Sequence, residues 1–167
     1  LLFSGVTTFN ILRIKGMQKD SAESVAVLNN AKDAKIGHYL WSINLSNALY
    51  ANGTFPGTDD TQCVLGKWVY GEAGTDDAQI LALRDEIKPM HKALHQSVGE
   101  AQQLMASSPA RAQEYYQTTI QTNLTNLVAK LDQVIDRAST INQASLDQMQ
   151  STIMWMQGIT AVCLVLA

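Results

Sequence analysis

A seam of apolar residues in the last third of the chain constrains the fold most. Its members alternate in steps of four and three residues: Ile120, Leu124, Leu127, Leu131, Val134, Ala138 and Ile141. The seam resumes at Leu146 after a shift of one position, as a nearly straight helix requires, because 3.6 residues per turn drift against a seven-residue repeat. The pattern predicts one long helix packed in a bundle, and it carries no chemistry by itself.

The first third of the chain also contains few helix breakers. Apolar residues recur there at helical spacings, which predicts a long helix that presents them on one face: Val25, Leu28, Ile36, Leu40, Ile43 and Leu49. Asn52-Gly53 ends this helix, and residues 53–74 form a long loop with a turn of helix near 65–70. Loops of this length in compact domains usually have a function.

The middle of the chain predicts a third helical segment. Thr75 is placed to cap its start, with Asp76 and Asp77 in the first turn. Pro89 either kinks this helix or begins a new one, and Ser107-Ser108-Pro109 closes the segment. We therefore expect an all-α protein, an antiparallel four-helix bundle with long first and last helices.

The charge and the cysteines limit the partners. A formal net charge of −3 gives no indication of a nucleic-acid partner. The two cysteines, Cys63 and Cys163, are placed too far apart to form an internal disulfide, so that Cys63 is a lone thiol.

The histidines are the residues that carry chemistry. The whole chain has three, His38, His91 and His95, and the last two stand four apart on one helix face. Such a pair can chelate a metal, although alone it is usually incidental. With Cys63 the set offers one thiolate and three imidazoles, which meets the four nitrogen and sulfur ligands that zinc favours. The alternatives are that His38 is a core histidine bonded to a carbonyl and that Cys63 is a small buried apolar residue.

The residues around these four positions resemble a known family. The pattern consists of His38 with Trp41, then Cys63-Val64-Leu65-Gly66-Lys67-Trp68-Val69-Tyr70-Gly71, then His91-Lys92-Ala93-Leu94-His95. Over about residues 34–101 it resembles the chemoreceptor zinc-binding domain family. The resemblance implies an all-helical domain of bacterial signal transduction in which His38, Cys63, His91 and His95 bind zinc. It also implies that the zinc-bound cysteine senses oxidants, unless neighbouring side chains such as Trp41 shield its sulfur.

Both ends of the sequence are free of charge. Arg13 is the first charged residue and none follows Asp147. Each run is shorter than the roughly 20 residues that span a bilayer, but both stop where the sequence stops. We expect residues 1–14 to end a first transmembrane helix, 15–152 to form the zinc-binding sensor domain, and 153–167 to begin a second transmembrane helix. This arrangement places the sensor at the inner membrane on the periplasmic side; the alternative is that both ends pack into the core.

The sequence therefore predicts a zinc-binding sensory domain of a transmembrane chemotaxis receptor that works as a homodimer and couples metal or redox state to helix packing. Its expected partners are the membrane, a second copy and a small-molecule or oxidant signal. The alternative is a helical domain that binds a small molecule or partner and holds a purely structural zinc. We do not expect an enzyme, because protein side chains fill all four zinc positions, whereas catalytic zinc keeps one open.

Overall fold

The structure, a computed structural model, describes the backbone of residues 2–51 and 53–166 and the side chains of residues 5–51 and 53–165. Its helices are α1 (Leu2–Tyr50), α2 (Val64–Tyr70), α3 (Ala78–Ser107), α4 (Pro109–Tyr115) and α5 (Gln121–Leu166). A π-helical stretch, Tyr116–Ile120, joins α4 to α5. Helix α4, the π-helical stretch and α5 follow one another without a break and form one rod, the α4–α5 rod. The described residues thus form four helices, which confirms the all-α bundle with long first and last members.

The two longest helices run antiparallel along each other. Near one end Ser21 donates a hydrogen bond to Asn142 at 2.6 Å, and further along Lys35 pairs with Asp132 at 2.6 Å. Helix α3 lies antiparallel to the α4–α5 rod, with Lys130 paired to Glu86. The core therefore lies between α1, α3 and the α4–α5 rod, with the short α2 closing one side.

The seam of α5 is confirmed where three helices meet. Its residues from Ile120 to Ala138 are buried, Ile141 is half-buried, and Leu146 is exposed. The change occurs because α3 begins at Ala78, opposite Arg137, and only α1 accompanies α5 beyond that level.

The buried face of α1 differs from the predicted one. The face turned inward carries Val27, Ala31, Ala34, His38, Trp41, Leu45 and Leu49. Of the predicted face, Leu49 is buried and Leu28 half-buried, whereas Val25, Ile36, Leu40 and Ile43 are exposed. Helix α1 thus has two apolar faces, and the one with small residues at Ala31 and Ala34 is turned inward, since short side chains let helices approach closely.

Helix α3 begins and continues differently from the expectation. Its N-cap is Asp77 rather than Thr75: the carboxylate accepts the backbone N–H of Ile80 at 3.0 Å and pairs with Arg137 at 2.6 Å. Pro89 lies inside α3, which runs on through it to Ser107. One aspartate therefore both caps α3 and anchors it to α5, which a hydroxyl cap could not do.

The inner-membrane, periplasmic placement was wrong. Across the described residues, every helix falls short of the length of apolar sequence that crossing a bilayer requires. Polar residues interrupt both apolar runs, Asn10 in α1 and Gln157 in α5. The predicted boundaries after residues 14 and 152 fall within continuous helices and stay untested; Leu1 and Ala167 lie outside the described residues.

Candidate metal centre

Three separate elements bring the four predicted ligands together. His38 comes from α1, Cys63 from the residue just before α2, and His91 and His95 from α3. Cys63 Sγ lies 3.1 Å from His91 Nε2, and His95 Nε2 lies 3.4 Å from His38 Nε2. One ligand atom from each residue falls within 4.8 Å of all the others. The chain therefore gathers at one point the four side chains that the sequence singled out.

Backbone carbonyls orient two of the imidazole rings. His38 Nδ1 lies 2.7 Å from the carbonyl oxygen of Ala34, and His95 Nδ1 lies 2.5 Å from that of Thr58. Because a carbonyl only accepts, each Nδ1 carries the proton and each Nε2 turns a lone pair toward the cluster. His38 thus bonds to a carbonyl through Nδ1, as a core histidine would. Its Nε2 remains available as a metal ligand.

The loop holds Cys63 in place through a close backbone contact. Cys63 is the N-cap of α2, and its Sγ accepts the backbone N–H of Gly66 at 3.3 Å. A Cβ at Gly66 would lie 1.8 Å from the carbonyl oxygen of Asp60, so only glycine fits where the loop folds over the first turn of α2. The hydroxyl of Tyr70 donates to the Asp60 carboxylate and closes the same turn.

Helix α2 is also fixed to α3. The guanidinium of Arg84 donates to the carbonyl oxygen of Trp68 at 3.1 Å and to that of Gly71. The indole of Trp68 is buried and donates to the carbonyl of Ala73 at 3.0 Å. These bonds set the position of α2, and with it the distance of Cys63 from the histidines of α3.

The acidic residues of the loop serve its folding. Asp59 accepts the backbone N–H of Thr61 at 2.8 Å, and Asp60 accepts from Tyr70. Neither belongs to the four-residue cluster.

Burial favours the neutral forms of His38, His91 and Cys63. Desolvation, with the neighbouring histidines, lowers the pKa of His91 to about 3, and desolvation also lowers the pKa of His38. Desolvation raises the pKa of the Cys63 thiol. Neutral imidazole is the form that binds metal, and a dication at this position would favour the thiolate over the thiol.

Aromatic side chains and a cavity border the centre. The Trp41 ring centroid lies 5.4 Å from that of His95 and 5.7 Å from that of Phe55. Trp41 is buried, as expected for a side chain that excludes water from the site. A cavity of about 430 Å³ nevertheless reaches the cluster between α1 and the loop, lined on the cluster side by His38, Cys63 and His95. The centre is thus largely buried but accessible from one side.

The donor set and its spacing fit zinc. Bond lengths of about 2.0 Å to nitrogen and 2.3 Å to sulfur place neighbouring ligand atoms of a tetrahedron roughly 3.3–3.6 Å apart. The pairs at 3.1 and 3.4 Å are close to this range, and the remaining pairs, up to 4.8 Å, need only small side-chain shifts. His38, Cys63, His91 and His95 would therefore hold the ion.

A buried hydrogen-bond network that the sequence did not predict links α1 to α5. Ser42 Oγ, one turn beyond His38, lies 2.9 Å from the hydroxyl of Tyr116, which also donates to the Ser42 carbonyl at 3.0 Å. Gln121 donates to Ser42 Oγ at 3.1 Å and to the Tyr116 hydroxyl. Tyr116 begins the π-helical stretch, a feature often found at functional positions. A tyrosine in a helical pattern gives no sequence signal of such a network.

The fold and the site together define an all-helical, zinc-type metal-binding domain. Comparison with known families gives the same answer: residues 38–102 match the family model described as "Chemoreceptor zinc-binding domain". The match confirms the resemblance over this segment and, with the four-residue cluster, zinc as the cofactor. No curated protein and no solved structure matches the chain significantly. Coordination of the ion by each of the four residues stays a prediction.

Proposed function

We propose that this zinc-binding sensory domain couples the state of its metal centre to the packing of its helices, as the input of a chemotaxis-type signalling protein. The observation that carries the proposal is that the four ligand atoms come from three separate elements of the fold. A bound zinc ion supplies bonds among α1, the start of α2 and α3. Loss of His38 would remove the metal link of α1 to α3, and loss of Cys63 would remove that of the start of α2.

The path from the centre to the last helix runs through α1. His38 and Ser42 lie on the same inner face of α1, one turn apart, and both are buried. Ser42 is bonded to Tyr116 at the junction with α5. A translation or rotation of α1 that moves His38 would therefore disturb the hydrogen bond between Ser42 and Tyr116. Tyr116 lies in the π-helical stretch, where the helical hydrogen bonding is irregular.

Cys63 is the residue through which a redox signal would act. Its side chain is half-buried and lines the cavity, so a small oxidant can reach the sulfur. Oxidation to a sulfenic or higher acid converts a good zinc ligand into a poor one. Three imidazoles would then remain, with weaker metal affinity.

We also propose that the domain acts as a homodimer and without catalysis. Domains of this family occur in chemoreceptor-like proteins and are typically dimeric. One sulfur and three nitrogens meet the usual coordination number of zinc, so the four side chains leave no position for a reacting water.

A second candidate function is favoured by the cavity beside the centre. Its volume of about 430 Å³ and its walls of Trp41, Phe55 and Leu40 suit a small ligand of mixed character, with zinc serving only to hold the fold. If the zinc is purely structural, its removal should unfold the domain rather than change how the helices pack.

Reversible removal of zinc separates the two candidates. Zinc-loaded protein is titrated with a chelator while helicity is followed by circular dichroism and backbone hydrogen exchange by mass spectrometry. The sensory reading predicts that helicity is retained while exchange rises around residues 34–45 and 116–121. Unfolding in step with zinc loss would favour the structural zinc, and a purified protein that binds no zinc would refute both.

A further inference from the structure

Helix α1 carries a row of exposed apolar residues on its outer face. Ile36, Leu40, Ile43 and Tyr50 are exposed by 58, 56, 54 and 53% respectively. They are spaced by four, three and seven residues, so they form one straight row; we call these four residues the outer stripe. Tyr39, which is also exposed, widens it. The spacing is that of a helix that packs lengthwise against another helix.

The exposed apolar area of the outer stripe is larger than that of apolar residues scattered singly over a surface. Single exposed apolar side chains are ordinary, but a continuous row is not. Four large side chains, each more than half exposed, amount to an area on the order of the largest apolar patch of a typical monomer, about 300–600 Å². Tyr39 enlarges this area toward the roughly 800 Å² that each partner contributes to a standard interface.

The charges around the outer stripe point to a second copy as its occupant. Residues 36–58 contain no Lys, Arg, Asp or Glu, so two such faces meet without repulsion. At the N-terminal end of the stripe stand Lys32 and Asp33, both exposed, and neither takes part in the ion pairs of the described residues. Because successive residues turn by about 100° around a helix, these two charges lie on opposite flanks of the stripe.

The placement of these charges also selects the orientation of the pair. When two α1 helices run parallel about a two-fold axis, one flank of each faces the opposite flank of the other, so Lys32 lies near the partner's Asp33, twice by symmetry. In an antiparallel pair each flank would face its own copy, and the two charges would find no opposite partner.

We propose that the outer stripe is the interface through which two copies of this chain pair, with their α1 helices parallel. The proposal rests on the proposed function in that it takes the folded, metal-holding domain as the pairing unit. His38 and Trp41 project from the opposite side of the same turns of α1. Each metal centre would thus lie about one helix diameter, roughly 10 Å, behind the interface. A rotation of α1 about its axis would therefore change the metal centre and the interface together.

Sedimentation equilibrium tests the surface. Wild-type protein should be a dimer at micromolar concentration, and Leu40→Glu/Ile43→Glu should weaken dimerisation roughly 100-fold or more. The matched control is Leu146→Glu/Ile153→Glu, which places the same two charges at exposed apolar residues of α5 and should leave the dimer intact. Zinc content, measured on every sample, should stay at one per chain. A wild-type protein that remains monomeric at about 100 µM, or a dimer that the double variant does not weaken, would overturn the proposal.

Cysteine cross-linking tests the orientation and does not depend on the folding of the charged variant. In a Cys163→Ser background, Ile36→Cys, Leu40→Cys and Ile43→Cys are oxidised singly in a mild thiol–disulfide buffer. Parallel pairing predicts a cross-linked dimer for all three, and none for Thr122→Cys, which is exposed on α5. Cross-linking at a single position would indicate antiparallel crossing, and cross-linking at none would refute the interface. If instead the protein binds no zinc and yet pairs in this way, the proposed function fails while the interface stands.

Discussion

The Sγ of Cys63 lies 3.1 Å from Nε2 of His91, although 28 residues separate the two in the chain. The contact requires the loop after α1 to fold over the first turn of α2 and to aim the sulfur at α3. It is shorter than the 3.4 Å between Nε2 of His38 and Nε2 of His95, and it depends on few residues. Those residues allow direct tests of how the centre is built.

The first prediction concerns Gly66. Substitution by alanine would drive a methyl group into the carbonyl of Asp60, so the turn must open and Cys63 must shift. We expect Gly66→Ala to lower zinc affinity at least about tenfold, corresponding to roughly 1.4 kcal/mol. The measurement is competition with a chromogenic chelator.

The control for Gly66→Ala is Gly99→Ala in α3. A Cβ there meets no atom within 4 Å, and alanine favours helix by about 1 kcal/mol over glycine. This variant should bind zinc as the wild type does and should unfold at equal or higher temperature. Equal zinc affinity for both variants would contradict the described path of the loop.

The second prediction concerns pH. In the folded, metal-free protein the pKa of His91 is lowered to about 3 and that of His38 is also lowered, both chiefly by burial. The unfolded chain takes up these protons near the ordinary value of 6.5, so the stabilisation is complete above that pH and is lost as pH falls toward 3. For His91 alone, moving from pH 7.5 to 5 should lower the free energy of unfolding by about 2 kcal/mol.

Urea unfolding of metal-free protein at the two pH values measures this loss. In His91→Asn, which lacks the titrating ring, the difference between pH 7.5 and 5 should shrink by most of that amount. A free energy of unfolding that does not change with pH in the wild type would mean that these imidazoles are solvated rather than buried.

The third prediction concerns the link between α1 and α5. Tyr116→Phe removes the hydroxyl that bonds Ser42 and Gln121 in a buried setting, so it should cost about 1–2 kcal/mol. Zinc stoichiometry should not change, but hydrogen exchange around residues 116–121 should no longer respond to zinc removal.

The neighbouring Tyr115 provides the control for the network. Its hydroxyl donates to Glu100 at 2.8 Å at an exposed position, so Tyr115→Phe should cost well under about 1 kcal/mol and leave the response to zinc intact. A Tyr116→Phe protein that still transmits zinc removal to residues 116–121 would exclude the network as the path.

The sequence was sufficient to single out the four side chains that cluster in the fold because their residue types are rare. The chain has three histidines, and all three meet at the centre with Cys63. The long helices were equally predictable, since almost no breakers occur in them and the seam from Ile120 to Ala138 has a clear period.

The inner face of α1 could not be predicted in the same way. Both of its faces are apolar, and hydrophobic size favoured the one with Ile36 and Leu40, whereas packing selected the one with Ala31 and Ala34. Local propensity does not reveal which face a neighbouring helix covers. The N-cap role of Asp77 was missed for a similar reason, because it depends on Arg137, 60 residues away.

The fourth prediction concerns oxidation of Cys63. Treatment of zinc-loaded protein with a mild excess of hypochlorous acid should release zinc in proportion to modification of Cys63, since an oxidised sulfur is a weaker ligand. Zinc release is followed with a chromogenic chelator and modification by mass spectrometry. Cys163→Ser, which removes the exposed second cysteine, should behave as the wild type does. Full retention of zinc while Met90 and Met105 oxidise would assign Cys63 a structural role alone.

X-ray absorption at the zinc edge, combined with metal analysis, tests the central claim most directly. The account predicts one zinc per chain, with one sulfur at about 2.3 Å and three nitrogens at about 2.0 Å. It also predicts that Cys63→Ala removes the sulfur contribution and that His91→Ala/His95→Ala loses the metal. A full equivalent of zinc in purified His91→Ala/His95→Ala, or a wild-type spectrum without sulfur, would contradict the assignment of His38, Cys63, His91 and His95 as the metal centre.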